Sequence, residues 1–169
     1  MIEDPLPADL RAANDAYAAA WGERSTLPRK PARQLAVLTC MDARIFPAQA
    51  LGLKEGDAHV IRNAGGVATD DALRSLVISN RLLGTSTAYV LGHTQCGMLS
   101  FTNDQLYAQL EHEGLDARWL DFLPFKEIEA SVQASVRRLR ASPLLPAEYR
   151  VEGFVFDVET GRIEPIEVP

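Results

Sequence analysis

A strand–helix–strand pattern in the middle of the chain constrains the fold more than any other feature of the sequence. Residues 58–63 and 87–93 contain the β-branched and aliphatic side chains typical of strands, and residues 71–83 lie between them. That middle segment has apolar side chains at helical spacing: Leu73, Leu76, Val77 and Leu83. The whole unit spans about 35 residues, and a crossover of this length joins parallel strands. The sequence therefore predicts an α/β fold, a mostly parallel sheet flanked by helices.

Three further segments extend this prediction. Residues 34–40 form a continuous apolar run, which indicates a strand covered on both faces. Residues 125–140 are amphipathic and predict a helix. Residues 153–158 and 162–168 predict a strand and a hairpin, and we expect the second segment at the sheet edge because Pro165 is tolerated there.

An alanine-rich segment at residues 6–21 precedes this pattern and predicts a helix, which ends in a stretch containing glycine and proline at residues 22–31. We expect the whole chain to form one domain, with an N-terminal helical arm (residues 1–30) and an α/β core (residues 31–169). The arm is a candidate for packing on a partner subunit.

The composition narrows the class of partner. The net charge is −6, and no basic run interrupts it, so nucleic acid and anionic membranes are not expected partners. No segment approaches the roughly 20 apolar residues of a membrane span, and the first ten residues lack the features of a secretory signal. Two cysteines are too few for a secreted disulfide scaffold, which predicts a cytoplasmic location with free thiols.

Metal-binding side chains follow two of the predicted strands. Cys40 closes the first strand, His93 closes the strand at residues 87–93, and Cys96 follows three residues later. The carboxyl ends of parallel strands meet at one edge of a sheet, so the three donors converge there. Two cysteines and one histidine suit a zinc site with an open fourth position. Any one of the three residues alone would more simply be a core residue.

Asp42 and Arg44 lie two and four residues beyond Cys40. In an extended segment all three side chains point to the same side. The guanidinium can hold the carboxylate ionised and oriented, beside the water of the predicted zinc site. The alternative is an ion pair that only caps the strand.

Three short motifs follow one another along the chain: Cys40–Arg44 (CMDAR), Arg62–Gly66 (RNAGG) and Gly92–Gly97 (GHTQCG). Together they resemble the motifs of the β-class carbonic anhydrases. Their order and spacing are similar to those of the compact branch found in archaea and in bacteria such as actinomycetes. The resemblance extends from about residue 34 to residue 157.

The resemblance implies a function and an assembly. It implies reversible hydration of carbon dioxide to bicarbonate and a proton by zinc-bound hydroxide, with one Zn²⁺ per chain on Cys40, His93 and Cys96. It implies a dyad of Asp42 and Arg44, in which the carboxylate orients the hydroxide. It also implies four parallel strands extended by a C-terminal strand, and a homodimer or dimer of dimers in which the N-terminal helix reaches the partner.

Two positions depart from the family pattern. Residue 95 is Gln where close relatives often carry Asp, and residue 92 is Gly where some carry a second His. Both flank the ligands without replacing them, so they bear on the shape and tuning of the pocket.

The sequence indicates the residues that line the substrate pocket less specifically than it indicates the metal ligands. Gly65 and Gly66 let the backbone approach the site, although a tight turn explains them equally well. Val67 and Ile45 are candidates for an apolar lining, or for ordinary core packing. No histidine identifies itself as a proton shuttle.

Other functions remain open at this stage. Relatives with the same motifs hydrolyse carbonyl sulfide or carbon disulfide, and the same zinc ligands would serve that reaction. A regulatory zinc domain would need a fourth protein ligand, for which Asp42 is the nearby candidate. A thiol-redox domain is disfavoured because Cys40 and Cys96 lack the Cys-x-x-Cys spacing.

Overall fold

The computed structural model describes residues 5–169 and contains one five-stranded sheet. The strands are β1 (Leu35–Cys40), β2 (Ala58–Asn63), β3 (Thr87–His93), β4 (Arg150–Phe156) and β5 (Ile163–Ile166). Their order across the sheet is β2-β1-β3-β4-β5. The first four strands are parallel and β5 is antiparallel to β4. The predicted α/β fold and the C-terminal extension of a four-stranded parallel sheet are both confirmed.

In the part of the chain that the structure describes, five α-helices surround or precede the sheet. They are α1 (Ala8–Ala19), α2 (Pro47–Ala50), α3 (Asp70–Arg81), α4 (Asn103–His112) and α5 (Ile128–Arg140). The predicted helices at residues 6–21, 71–83 and 125–140 correspond to α1, α3 and α5. Strand β4 begins at Arg150, three residues before the predicted start, because it continues to pair with β3 from Thr87 onwards.

The core has two apolar layers, one on each face of the sheet. Ala36 and Leu38 of β1 belong to the layer covered by α3 and α5, while Leu35 and Val37 belong to the opposite layer. All six residues of β1 are buried. This two-sided burial is the physical reason for the continuous apolar run in the sequence.

Strand register places the metal-binding candidates at one edge. In the pairing of β1 with β3, Thr39 lies opposite Leu91, so Cys40 and His93 both end their strands at the same carboxyl edge. Helix α3 follows β2, the other neighbour of β1. Thr69 caps its N-terminus, since the Thr69 hydroxyl accepts a hydrogen bond from the Ala72 N–H. The sheet thus forms the platform for the site.

The N-terminal segment is helical, as predicted, and α1 buries none of its own residues. Residues 1–4 of the predicted arm lie outside the described residues. The division into arm and core within a single domain stays a prediction. Within residues 5–169, no helix is both long enough and apolar enough to cross a membrane.

The packing of α5 explains why position 92 is a glycine, which the sequence pattern did not reveal. A Cβ atom at this position would lie 2.6 Å from Cγ2 of Val132 and 3.2 Å from Cγ2 of Ile128, both on α5. Helix α5 therefore packs directly against the β3 backbone, and a histidine at position 92 would require α5 to move.

We expect Gly92→Ala to lower the free energy of unfolding by about 1–3 kcal/mol, because the added methyl group overpacks the contact with α5. Urea unfolding measures this change. Gly97→Ala is the matched control, since a Cβ atom at Gly97 meets nothing within 4 Å. Equal urea midpoints for the two variants would contradict this account of the packing.

Candidate metal centre

Three buried donor side chains meet at the carboxyl edge of the sheet. Cys40 ends β1, His93 ends β3, and Cys96 precedes the short 3₁₀ turn at Gly97–Leu99. Their ligand atoms all lie within 4.8 Å of one another, and the two Sγ atoms are 4.0 Å apart. Both cysteines are free thiols. The structure therefore brings together the three residues that the sequence analysis selected as ligands.

The spacing and orientation of these donors fit a tetrahedral metal ion. Two thiolates bound to one zinc ion at about 2.3 Å lie about 3.8 Å apart, close to the observed separation of the sulfur atoms. His93 Nδ1 donates to the carbonyl oxygen of Thr94 at 2.9 Å, which leaves Nε2 with its lone pair. Among the buried side-chain nitrogen and oxygen atoms of residues 5–169, His93 Nε2 is the one that has no hydrogen-bond partner. A metal ion supplies that partner, so the cluster can bind zinc.

The two thiols of the cluster have pKa values that are shifted in opposite directions. The pKa of Cys40 lies below its usual range, mainly because its thiolate is hydrogen-bonded to the Cys96 thiol, while burial opposes the shift. The pKa of Cys96 is raised by the same hydrogen bond and by burial. Burial alone would lower the pKa of His93, but it is raised because the Cys40 thiolate and the Asp42 carboxylate lie nearby. Such a site attracts a divalent cation, and binding it releases protons.

Asp42 and Arg44 form the predicted pair at the rim of this cluster. Arg44 Nε donates to Oδ1 of Asp42 at 2.9 Å, and Nη2 donates to Oδ2 at 2.8 Å. The pKa of Asp42 is lowered, chiefly by these hydrogen bonds. Oδ2 lies 3.9 Å from Nε2 of His93. An ionised, oriented carboxylate thus stands next to the position that a metal ion would occupy.

Arg62 is a supporting residue for which the sequence analysis assigned no role. From β2 its Nε donates to the carbonyl oxygen of Cys40 at 3.0 Å, and its Nη2 donates to that of Asp42 at 2.7 Å. The guanidinium therefore holds the backbone at the end of β1. Arg62 belongs to the second motif, but its hydrogen bonds to the end of β1 could not be predicted because they depend on the pairing of β2 with β1.

A cavity of about 460 Å³ opens at the ligands. Its lining consists of Cys40, Met41, Asp42, Ala43, Ala64, Gly65, Cys96, Gly97 and Met98. Of the four predicted wall residues, Gly65 lines it. Met98, Ala43 and Ala64 are apolar lining residues that the sequence analysis did not select.

The other three predicted wall residues lie behind or beside this cavity. Ile45 is fully buried in the core layer that includes Cys40. Gly66, at a φ of 65°, lies so close to β1 that a Cβ atom would be 2.9 Å from the carbonyl carbon of Thr39. Val67 lines a neighbouring cavity, and its backbone is held by both amide atoms of Asn63.

Comparisons with known proteins agree with this geometry. The carbonic anhydrase family profile matches residues 35–124. The β-carbonic anhydrase 1 of Mycobacterium tuberculosis is 43% identical over 159 residues, which cover 94% of this chain and 96% of that protein. The chain belongs to the β-carbonic anhydrase family. Members of this family use zinc.

Two further relatives are a carbonic anhydrase of known structure and a protein named for a different reaction. The crystal structure of the carbonic anhydrase from Streptococcus mutans has a TM-score of 0.91 at 45% identity, covering 99% of this chain and 100% of the other. A carbon disulfide hydrolase from an Acidianus strain is 36% identical over 155 residues, covering 78% of this chain and 76% of that protein. Proteins named for two different reactions are thus similar to this chain.

We expect Cys40→Ser and His93→Ala each to lower the bound zinc from one equivalent to a small fraction, because a buried three-donor set loses one donor. Elemental analysis of purified protein measures the change. His112→Ala is the control, since His112 is exposed at the end of α4. Full zinc occupancy in either cluster variant would contradict the ligand assignment.

Proposed function

We propose that this β-carbonic anhydrase family member catalyses the reversible hydration of carbon dioxide to bicarbonate and a proton, with one zinc ion per chain held by Cys40, His93 and Cys96. The observation that carries the proposal is the buried Cys–His–Cys cluster with an ionised Asp42 beside it. Identity of 43% along nearly the whole chain to a protein named as a β-carbonic anhydrase supports it.

Each of the site residues has a role in this proposal. Zinc, when bound, lowers the pKa of a coordinated water towards neutrality and so supplies the nucleophile. Asp42 is ionised and accepts hydrogen bonds only, so it orients the attacking oxygen through that oxygen's remaining proton. Arg44 holds the carboxylate in place with two parallel hydrogen bonds.

The cavity suits a small, apolar substrate. Its walls beside the ligands are methyl, thioether and glycine surfaces from Ala43, Ala64, Gly65 and Met98. Carbon dioxide has no net dipole and needs little hydrogen bonding, so such a wall admits it. We propose that Gly65 forms part of this wall directly, while Gly66, Val67 and Ile45 shape it from behind.

Hydrolysis of carbonyl sulfide or carbon disulfide is the alternative activity. Carbon disulfide hydrolases at up to 36% identity are among the relatives, and the same three ligands would serve. Stopped-flow hydration of carbon dioxide at pH 7.5 and 8.5, run beside sulfide release from carbonyl sulfide and carbon disulfide, separates the activities. Fast hydration by the zinc-loaded protein supports the proposal, and sulfide release with slow hydration supports the alternative.

The N-terminal helix supports a further proposal, a homodimer. A helix of 12 residues is marginal on its own in water, yet α1 buries none of its residues. Leu10, Tyr17 and Trp21 are 53%, 48% and 37% exposed. We propose that this apolar surface packs on a second copy of the chain.

We also propose a cytoplasmic location. The two cysteines are free thiols, and a reducing compartment keeps thiols in that state.

Asp42→Asn is expected to keep its zinc and to lower kcat/KM for carbon dioxide roughly ten- to hundredfold, because the amide can present a donor where the attacking oxygen needs an acceptor. Stopped-flow kinetics with zinc quantified measures this. Asp71→Asn is the matched control, since Asp71 forms an exposed ion pair with Arg74 on α3. Unchanged hydration by Asp42→Asn would contradict the orienting role.

Leu10→Asp is expected to shift the protein from dimer to monomer at micromolar concentration, because it places a charge in the proposed apolar interface. Sedimentation velocity measures the assembly. Ala12→Asp adds the same charge to the opposite face of α1, because residue 12 lies about 200° around the helix from Leu10, and we expect this variant to remain dimeric. A wild-type protein that sediments as a monomer would contradict the homodimer.

A further inference from the structure

The guanidinium of Arg44 is held from two sides. Besides its two hydrogen bonds to Asp42, Arg44 donates from Nη1 to Oε1 of Gln95 at 3.1 Å and from Nη2 to the backbone carbonyl oxygen of Gln95 at 3.2 Å. The Arg44 side chain is 47% exposed, so the surrounding core does not fix it. Its orientation depends on these polar contacts.

The side chain of Gln95 is in turn oriented by Glu159. Gln95 Nε2 donates to Oε1 of Glu159 at 2.6 Å. An amide has a donor end and an acceptor end, and a carboxylate accepts only, so Glu159 takes the donor end. The acceptor end of Gln95 is therefore left facing Arg44. This contact explains why a neutral amide suits position 95: a carboxylate there would face Glu159 and would compete with Asp42 for the guanidinium.

The backbone places both residues for this contact. Gln95 has a φ of 55°, which is uncommon for a residue other than glycine and turns its carbonyl oxygen towards Arg44. Glu159 lies in the turn between β4 and β5. Its N–H donates to Oδ1 of Asp157 at 2.9 Å.

That turn is also bound to the end of β3. The N–H of Thr94 donates to the carbonyl oxygen of Phe156 at 2.9 Å, and the N–H of Val158 donates to the hydroxyl oxygen of Thr94 at 3.0 Å. The β4–β5 turn and the Thr94–Gln95 segment thus form one hydrogen-bonded unit beside the site.

We propose that Gln95 and Glu159 are positioning residues, which hold Arg44 in the plane of the Asp42 carboxylate and so keep that carboxylate aimed at the metal position. The effect on catalysis rests on the proposed function. Both residues act through Arg44, to which Gln95 is hydrogen-bonded directly and Glu159 through Gln95. The chain of contacts runs from Glu159 in the β4–β5 turn through Gln95 and Arg44 to Asp42.

The first test is kinetic and uses the zinc-loaded protein. We expect Glu159→Ala to lower kcat and kcat/KM for carbon dioxide together by roughly three- to tenfold, with KM unchanged. A misplaced Asp42 carboxylate stabilises the transition state less, while substrate binding is unaffected. Glu159→Gln retains an acceptor oxygen and should stay within about twofold of the wild type. Glu164→Ala, which removes an exposed carboxylate on β5, is the charge-matched control.

The same substitution in an Arg44→Ala background separates positioning from a general structural effect. If Glu159 acts through Arg44, then Glu159→Ala adds no further loss once Arg44 is absent. A full additional loss in that background would overturn the proposal. Unchanged kinetics for Glu159→Ala in the wild-type background would overturn it as well.

The second test does not depend on activity. In ¹⁵N NMR spectra of the zinc-loaded protein, we expect the Arg44 guanidinium to show separate Nη signals, because its rotation is restricted. These signals should merge in Glu159→Ala and stay separate in Glu164→Ala. If the protein hydrates no carbon dioxide, the proposed function fails while this spectrum still decides whether Glu159 orders Arg44. Identical Arg44 signals in wild type and Glu159→Ala would overturn the positioning role.

Discussion

Parallel pairing of β1 with β3 is the constraint on which the site depends. Because the strands run in the same direction and in this register, Cys40 and His93 reach the same edge of the sheet although they are distant in the sequence. An antiparallel pairing would place them at opposite ends. The crossover through β2 and α3 enforces the parallel direction, and β1 is buried on both faces between β2 and β3.

The site combines buried donor side chains with a charged rim. The three ligand side chains are buried, where an unpartnered His93 Nε2 and a thiolate are costly unless a cation joins them. Asp42 and Arg44 lie at the more exposed rim, where the ion pair keeps the carboxylate ionised. In the proposed function, this separation lets the buried donors bind zinc while the carboxylate orients the attacking oxygen.

The turn between β4 and β5 does more than connect two strands of the sheet. It is bound to the end of β3 through Thr94, and Glu159 reaches Gln95 from it. Because β4 pairs with β3 along its whole length, the turn has a defined position relative to His93. The C-terminal part of the chain, remote in sequence from the ligands, therefore takes part in arranging Arg44.

Local patterns in the sequence predicted the strands and the helices α1, α3 and α5, and they selected the three donor residues that the structure brings together. Apolar periodicity and donor chemistry are properties of short segments. The Asp42–Arg44 pair was predicted as well, but from an extended segment, whereas the chain turns there: the N–H of Ile45 donates to the carbonyl oxygen of Asp42. The packing of α5 on Gly92, the contacts of Arg62 with the end of β1 and the Glu159–Gln95 contact were not predicted. Each joins segments that only strand order and register bring together, so tertiary structure alone decided them.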